Sequence, residues 1–87
     1  MIELQGFKDW LISSTDYSQR TVSNIVSRLK RADNILSWYD DEVYLFRLEK
    51  TTGFQNLSVT VKSQIKKSVK LYFEYVGESQ YMERTNQ

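Results

Sequence analysis

Apolar residues recur every three or four positions along two long stretches of this chain, and the chain contains no proline to interrupt them. In the first stretch the repeating residues are Val22, Ile25, Val26, Leu29, Ala32 and Leu36. In the second stretch they are Val61, Ile65, Val69, Tyr72, Phe73 and Val76. Because this spacing follows the α-helical turn of about 3.6 residues, each stretch predicts an amphipathic helix with one buried face.

The ends of these two helices are expected at capping residues. Ser18 and Ser58 can each accept a hydrogen bond from a free N–H of the first turn, so they are the predicted N-caps. The first long helix is predicted to end near Trp38. Gly77 is predicted to cap the end of the second long helix, and Gly53 to end a shorter helix before it.

Two shorter amphipathic segments complete the expected bundle. Phe7 and Leu11 lie on one face of a helix predicted over residues 2–13. A short third helix is predicted to begin at the acidic run of residues 40–42, because acids complement the positive end of the helix dipole. Its apolar residues, Phe46 among them, are predicted to join the core. The expectation is a small all-α bundle of four helices, with five as the alternative.

The composition excludes several kinds of active site. The chain has no histidine and no cysteine, which removes the usual general base, the commonest metal ligands and the cysteine nucleophile. It has no glycine-rich phosphate loop, and the adjacent acids at 40–42 suit a helix start better than a metal site. We therefore predict a protein that is not an enzyme and uses no cofactor, metal or small-molecule substrate.

The sequence also lacks the features of a membrane or secreted protein. No apolar run approaches the roughly 20 residues of a membrane span. The N-terminal residues lack the basic start and apolar core of a signal peptide. These features predict no membrane association and a cytoplasmic location.

The charged residues are segregated along the chain. The net charge is only +1, yet residues 18–32 and residues 56–73 each contain four basic residues and no acid. Such a chain can present a cationic surface to a polyanion while it stays near neutral overall. Lys30 is the weaker candidate because it lies on the far flank of its helix. The predicted DNA contacts are Arg20, Arg28, Arg31, Lys62, Lys66, Lys67 and Lys70.

Two other interpretations of these residues stay open. Lysine on an amphipathic helix often forms nothing more than a solvated face. Alternatively, the chain is a protein-interaction module that binds a recombinase, a nuclease or itself. Its interface would then consist of Tyr39, Tyr44, Phe46 and the acidic connection at residues 40–49.

Three short motifs lie at residues 7–11 (Phe-Lys-Asp-Trp-Leu), 18–22 (Ser-Gln-Arg-Thr-Val) and 27–31 (Ser-Arg-Leu-Lys-Arg). A fourth segment begins at Ser58, and it ends in aromatic residues. Together they resemble the N-terminal core-binding domain, also called SAM-like, of tyrosine recombinases and phage integrases. The resemblance covers about residues 4–77.

This resemblance implies a helical bundle whose second and fourth long helices approach the major groove of duplex DNA. In that family a separate catalytic domain carries a nucleophilic Tyr and a His-x-x-Arg pair. Because this chain has no histidine, Tyr81 is not expected to be a nucleophile. The resemblance thus implies a non-catalytic DNA-binding module for DNA integration or recombination.

Two origins of such a module stay open. In an integrase fragment, residues 1–77 would be the core-binding domain and residues 78–87 the start of an interdomain linker. In a small phage or mobile-element protein, residues 78–87 would be a polar tail.

Overall fold

The computed structural model describes the backbone of residues 2–41 and 43–85 and the side chains of residues 2–41 and 43–77. Within these residues the chain forms five α-helices and no strand, which confirms the all-α prediction. The helices are α1 (Leu4–Ser14), α2 (Gln19–Ile35), α3 (Tyr44–Glu49), α4 (Thr52–Gln55) and α5 (Val59–Thr85). Helix α2 packs mainly against α5, and α1 packs against α2.

Both long helices begin at the predicted serine caps. The Ser18 hydroxyl accepts a hydrogen bond from the backbone N–H of Thr21 at 3.2 Å. The Ser58 hydroxyl does the same for Val61, also at 3.2 Å. Each bond satisfies one of the free N–H groups of a first turn.

Helix α2 ends three residues earlier than predicted. The carboxylate of Asp33 accepts a hydrogen bond from the backbone N–H of Trp38 at 2.8 Å. This bond stabilises a non-helical exit, because it gives the N–H a side-chain partner in place of a helical carbonyl. Trp38 itself turns back into the core, where it is 8% exposed.

The two glycine predictions are wrong. Gly53 lies inside α4, and Gly77 lies inside α5, which continues to Thr85. Among the described residues no glycine has a positive φ, so neither position forms the left-handed turn that makes glycine a C-cap. The break after α3 comes from Thr51, whose hydroxyl accepts from the Phe54 N–H at 3.2 Å and starts α4.

The start of α3 depends on a single acid of the predicted run. The Asp41 carboxylate accepts from the Val43 N–H at 2.9 Å, and the Asp41 carbonyl accepts from the Tyr44 N–H at 2.9 Å. The acidic run therefore precedes a helix, as predicted, although α3 has no acid in its own first turn. Glu42, the third member of the run, lies outside the described residues.

Every helix contributes to one aromatic-rich core. Tyr72 lies at its centre, with ring centroids 5.1 Å from Phe7 and 4.7 Å from Trp38, both in edge-to-face contact. Tyr44 is fully buried, and its hydroxyl donates to the Leu36 carbonyl at 2.6 Å. This bond fastens α3 to the end of α2, and burial raises the pKa of Tyr44 to about 12.

Phe46 was predicted to join the core, and this prediction is wrong. Helix α3 has only six residues, so its inward positions are Tyr44 and Leu48, one turn apart. Phe46 lies on the opposite side, where it is 60% exposed. The Lys50 ammonium covers part of it, 5.1 Å from the ring centroid.

Candidate nucleic-acid interface

Helices α2 and α5 lie side by side, and their buried stripes set the direction of the neighbouring polar residues. Ile25 and Leu29 of α2 and Ile65 and Val69 of α5 are buried in the shared core. Residues that flank these stripes emerge at the seam between the two helices. Arg28 is one of them, and it is partly buried.

Arg28 crosses this seam to reach α5. Its Nε donates a hydrogen bond to the side-chain Oε1 of Gln64 at 2.8 Å. The bond joins residues 36 positions apart, so it depends on the packing of the two helices. Gln64 is a neutral acceptor, so it orients the guanidinium without cancelling its charge.

A groove of about 190 Å³ runs along the seam. It brings together two of the predicted DNA contacts, Arg28 from α2 and Lys67 from α5. The other residues that line the groove are Thr21, Asn24, Ile25, Gln64 and Ser68. Ile25 is the one apolar residue among these five. The two long helices therefore turn cationic side chains toward the same surface.

Lys67 also has a neutral neighbour. Its ammonium lies 5.2 Å from the ring centroid of Tyr17, which belongs to the connection between α1 and α2. A cation over an aromatic face is attracted to the ring and keeps its charge. Within residues 2–41 and 43–77, no ion pair joins Lys67 or Arg28 to a carboxylate.

The lysines on the other flank of α5 have acidic neighbours. Lys66 and Glu49 form a salt bridge with 2.9 Å between Nζ and Oε1. Lys70 lines a shallow depression together with Lys66, Lys67 and Glu74. On this flank, Lys66 is thus paired with an acid of α3, whereas Lys70 has Glu74 one turn later on α5 without an ion pair between them in the described residues.

The remaining predicted contacts lie outside the seam groove. Arg20 and Arg31 are exposed, and helical spacing places them within about 80° of Arg28 around the α2 axis. Lys62 is partly buried one turn before Lys66. Lys30 is exposed on the opposite flank of α2, the position for which it was predicted to be the weaker candidate for DNA contact.

Sequence reasoning missed two residues of this site, Gln64 and Tyr17. Gln64 carries no charge, and its role depends on Arg28 reaching it across the seam. Helical spacing could have identified Gln64, because Gln64 and Ser68 form a polar flank of the α5 stripe on the side away from Lys62 and Lys66. Tyr17 had no comparable signal, since it lies in a connection rather than on a helix face.

The aromatic residues of the alternative interface are mostly withdrawn from the surface. Tyr44 is fully buried, and the Tyr39 hydroxyl is buried without a hydrogen-bond partner in the described structure. Phe46 stays available on α3, beside Val43, which is 41% exposed. Tyr81 lies beyond the residues whose side chains are described.

The described residues contain neither a cluster of metal ligands nor a membrane-spanning helix. No group of three or more acidic, histidine or cysteine side chains there is placed to hold a metal ion. Across the same part of the chain, no helix combines the length and apolar character that a bilayer crossing requires.

Comparison with known proteins gives no family assignment. No family model matches the chain, and no curated protein or solved structure matches it either. The resemblance to core-binding domains therefore stays a prediction that depends on the motifs of the sequence.

Proposed function

We propose that this protein is a non-catalytic DNA-binding module that contacts the phosphate backbone of duplex DNA through the adjoining faces of α2 and α5. One observation carries the proposal. Arg28 and Lys67 come from different helices, share one groove and are free of ion pairs with carboxylates in the described residues. Lys and Arg side chains in such a setting neutralise phosphates and release counterions.

The proposal extends to the role that the resemblance implies. In the core-binding domains of tyrosine recombinases, two long helices approach the major groove of DNA. The side-by-side packing of α2 and α5 supports a comparable use here. A module that grips one face of a duplex has modest affinity, because the rest of the clamp is a separate domain.

The salt dependence of binding measures how many phosphates are contacted. Seven cations are candidates, and two of them, Lys66 and Lys70, lie beside carboxylates. If the other five each neutralise one phosphate, log K should fall against log salt with a slope of about −4.5. The test is a fluorescence-anisotropy titration of a labelled duplex at several salt concentrations.

A pair of double variants makes the test specific to the proposed face. Arg20→Gln with Arg31→Gln removes two exposed charges of α2, and the slope should become shallower by about 1.8. Lys8→Gln with Lys30→Gln changes the net charge equally on other faces and should leave the slope unchanged. A slope near zero for the unaltered protein, or equal losses in both double variants, contradicts the proposal.

A protein-interaction module is the second candidate, and the exposure of Phe46 favours it. An aromatic side chain that is 60% exposed beside the exposed Val43 is a typical interface anchor. Self-association, measured by sedimentation equilibrium, should then weaken in Phe46→Ala. Charge reversal by Lys66→Glu with Lys70→Glu should leave self-association unchanged while it strongly weakens DNA binding.

A further inference from the structure

We propose that the seam groove between α2 and α5 is a phosphate-group site, in which Arg28 and Lys67 hold one phosphate and Gln64 is a positioning residue. The inference rests on the proposed function where the phosphate belongs to a DNA backbone. The same chemistry accepts a free phosphate or pyrophosphate, so the site can be tested with and without DNA.

The geometry of Arg28 leaves its phosphate-binding edge available. The guanidinium has five N–H donors in one plane, and Nε uses one of them on Gln64. The four N–H groups of the two terminal nitrogens have no partner among the described side chains. Guanidinium groups bind phosphate through pairs of such donors, and fixing Nε reduces the entropy lost on binding.

Lys67 supplies the second charge from the other wall of the groove. Its ammonium approaches the Tyr17 ring and pairs with no carboxylate in residues 2–41 and 43–77, so N–H donors on its other side can bind an oxyanion. Thr21 and Asn24 add neutral hydrogen-bonding groups at the rim. The groove of about 190 Å³ is open to solvent on one side, so a phosphate can enter with part of its hydration.

The lysine ridge of α5 is a poorer phosphate site than this groove. An anion that approaches Lys66 meets the Glu49 carboxylate at the same ammonium group. An anion that approaches Lys70 meets Glu74 across the same depression. In the groove, the groups in contact with the two cations are an amide and an aromatic ring, and neither carries the full negative charge of a carboxylate. Lys67 also lines the depression that contains Glu74, so the difference is clearest for Arg28.

The first experiment observes the Arg28 side chain directly by ¹H–¹⁵N NMR. The Nε–Hε resonance is assigned as the signal lost in Arg28→Lys, and sodium pyrophosphate is then added to the unaltered protein. The expected result is a saturable shift of this resonance and of the Lys67 backbone amide. An Arg28 resonance that moves no more than the Lys30 backbone amide overturns the site.

The second experiment measures duplex affinity by anisotropy in matched variants. Arg28→Gln and Lys67→Gln should each weaken binding about five- to tenfold and make the salt slope shallower by about 0.9. Lys30→Gln, with the same change in net charge, should weaken binding less than twofold. Equal effects of the three variants contradict the site and leave the wider DNA-binding proposal standing.

Two substitutions of Gln64 test whether it positions the Arg28 guanidinium or only contributes to the fold. Gln64→Leu removes the acceptor but keeps the Arg28 charge, so affinity should fall about two- to threefold with an unchanged salt slope. Gln64→Glu keeps an acceptor and adds a negative charge. Duplex affinity should therefore fall, and the salt slope become shallower, as much as in Arg28→Gln. Gln64 is exposed, and thermal melts should show both variants folded. Equal losses in the two variants contradict the positioning role.

The pyrophosphate titration and the duplex titration together distinguish a failure of the phosphate site from a failure of the DNA-binding function. If pyrophosphate shifts the Arg28 resonance but no duplex binds at low salt, the groove stands and the DNA-binding function fails. If a duplex binds while Arg28→Gln and Lys67→Gln behave like Lys30→Gln, the function stands and the groove fails.

Discussion

Replacing Glu49 with Gln should make this protein bind DNA more tightly. Glu49 holds Lys66 through a salt bridge of 2.9 Å, on the flank of α5 away from the seam groove, where Lys66 is a further predicted DNA contact. The carboxylate both occupies the ammonium and repels an approaching phosphate. Gln has nearly the same shape without the charge, so Glu49→Gln releases Lys66 and removes the repulsion.

The size of the effect follows from the exposure of the pair. The two side chains are 41% and 36% exposed, so their salt bridge stabilises the fold by less than about 1 kcal/mol. A phosphate can therefore displace Glu49 at small cost. One additional phosphate contact makes the salt slope steeper by about 0.9, which corresponds to about eightfold in affinity at 0.1 M salt. Since Lys66 is already partly available, we expect a gain of about three- to eightfold.

The assay is the same duplex titration, with Asp9→Asn as the matched control. Asp9 is exposed on α1, and Asn at this position keeps an oxygen for the hydrogen bond that the Gln5 amide donates. Both variants raise the net charge by one unit, so a general charge effect moves them equally. A gain in Glu49→Gln that does not exceed that of Asp9→Asn refutes the reasoning. So does a gain that survives unchanged when Lys66→Gln is added.

Three further predictions concern stability and the binding groove. Gly77→Ala should raise the free energy of unfolding by about 0.5–1 kcal/mol, because Gly77 is inside α5 and an added Cβ meets nothing within 4 Å. Gly6→Ala should lower it, because the Cβ would overlap Glu3 and the Tyr75 hydroxyl, and thermal melts of both variants check the pair. The free energy of unfolding should also fall as the pH rises from about 10 to 12. Burial raises the pKa of Tyr44 in the folded protein to about 12, so Tyr44 ionises at a lower pH in the unfolded chain, and this ionisation favours unfolding. Burial also raises the pKa of Tyr72, so urea unfolding of Tyr44→Phe should show part of that fall removed and part retained. Finally, Tyr17→Phe should leave DNA affinity unchanged, whereas Tyr17→Leu, which removes the ring under the Lys67 ammonium, should weaken it about twofold in the anisotropy assay.

The parts of the fold that the sequence predicts are the ones that depend on neighbouring residues. The α2 stripe follows from its spacing, and its start follows from Ser18 three residues before the N–H that it caps. The glycines were misjudged because glycine permits a left-handed turn but does not impose one. Phe46 was misjudged because helical spacing alone does not show which side of a six-residue helix faces the core.

The candidate site shows the same limit more sharply. The positions of the cations on α2 and α5 could be read from the sequence, since each depends on its own helix. The partners of these cations could not be read from the sequence. Glu49 lies 17 positions before Lys66, and Gln64 lies 36 positions after Arg28, so each pair forms only when distant segments pack. The prediction therefore found the charges without showing which of them stay unpaired.

The partners of these cations, more than their number, decide how the protein can bind a polyanion. If the five cations that pair with no carboxylate in residues 2–41 and 43–77 each contact one phosphate, affinity should fall about 500-fold between 50 and 200 mM salt. Such binding would be far weaker at physiological ionic strength than at low salt, and a second contact with DNA would offset that loss. A second DNA-binding domain or a second copy on the same duplex would supply that contact by raising the effective concentration. Under the proposed function, the pairing of Lys66 with Glu49 would act in the same direction, because it would lower the affinity of the single module for DNA.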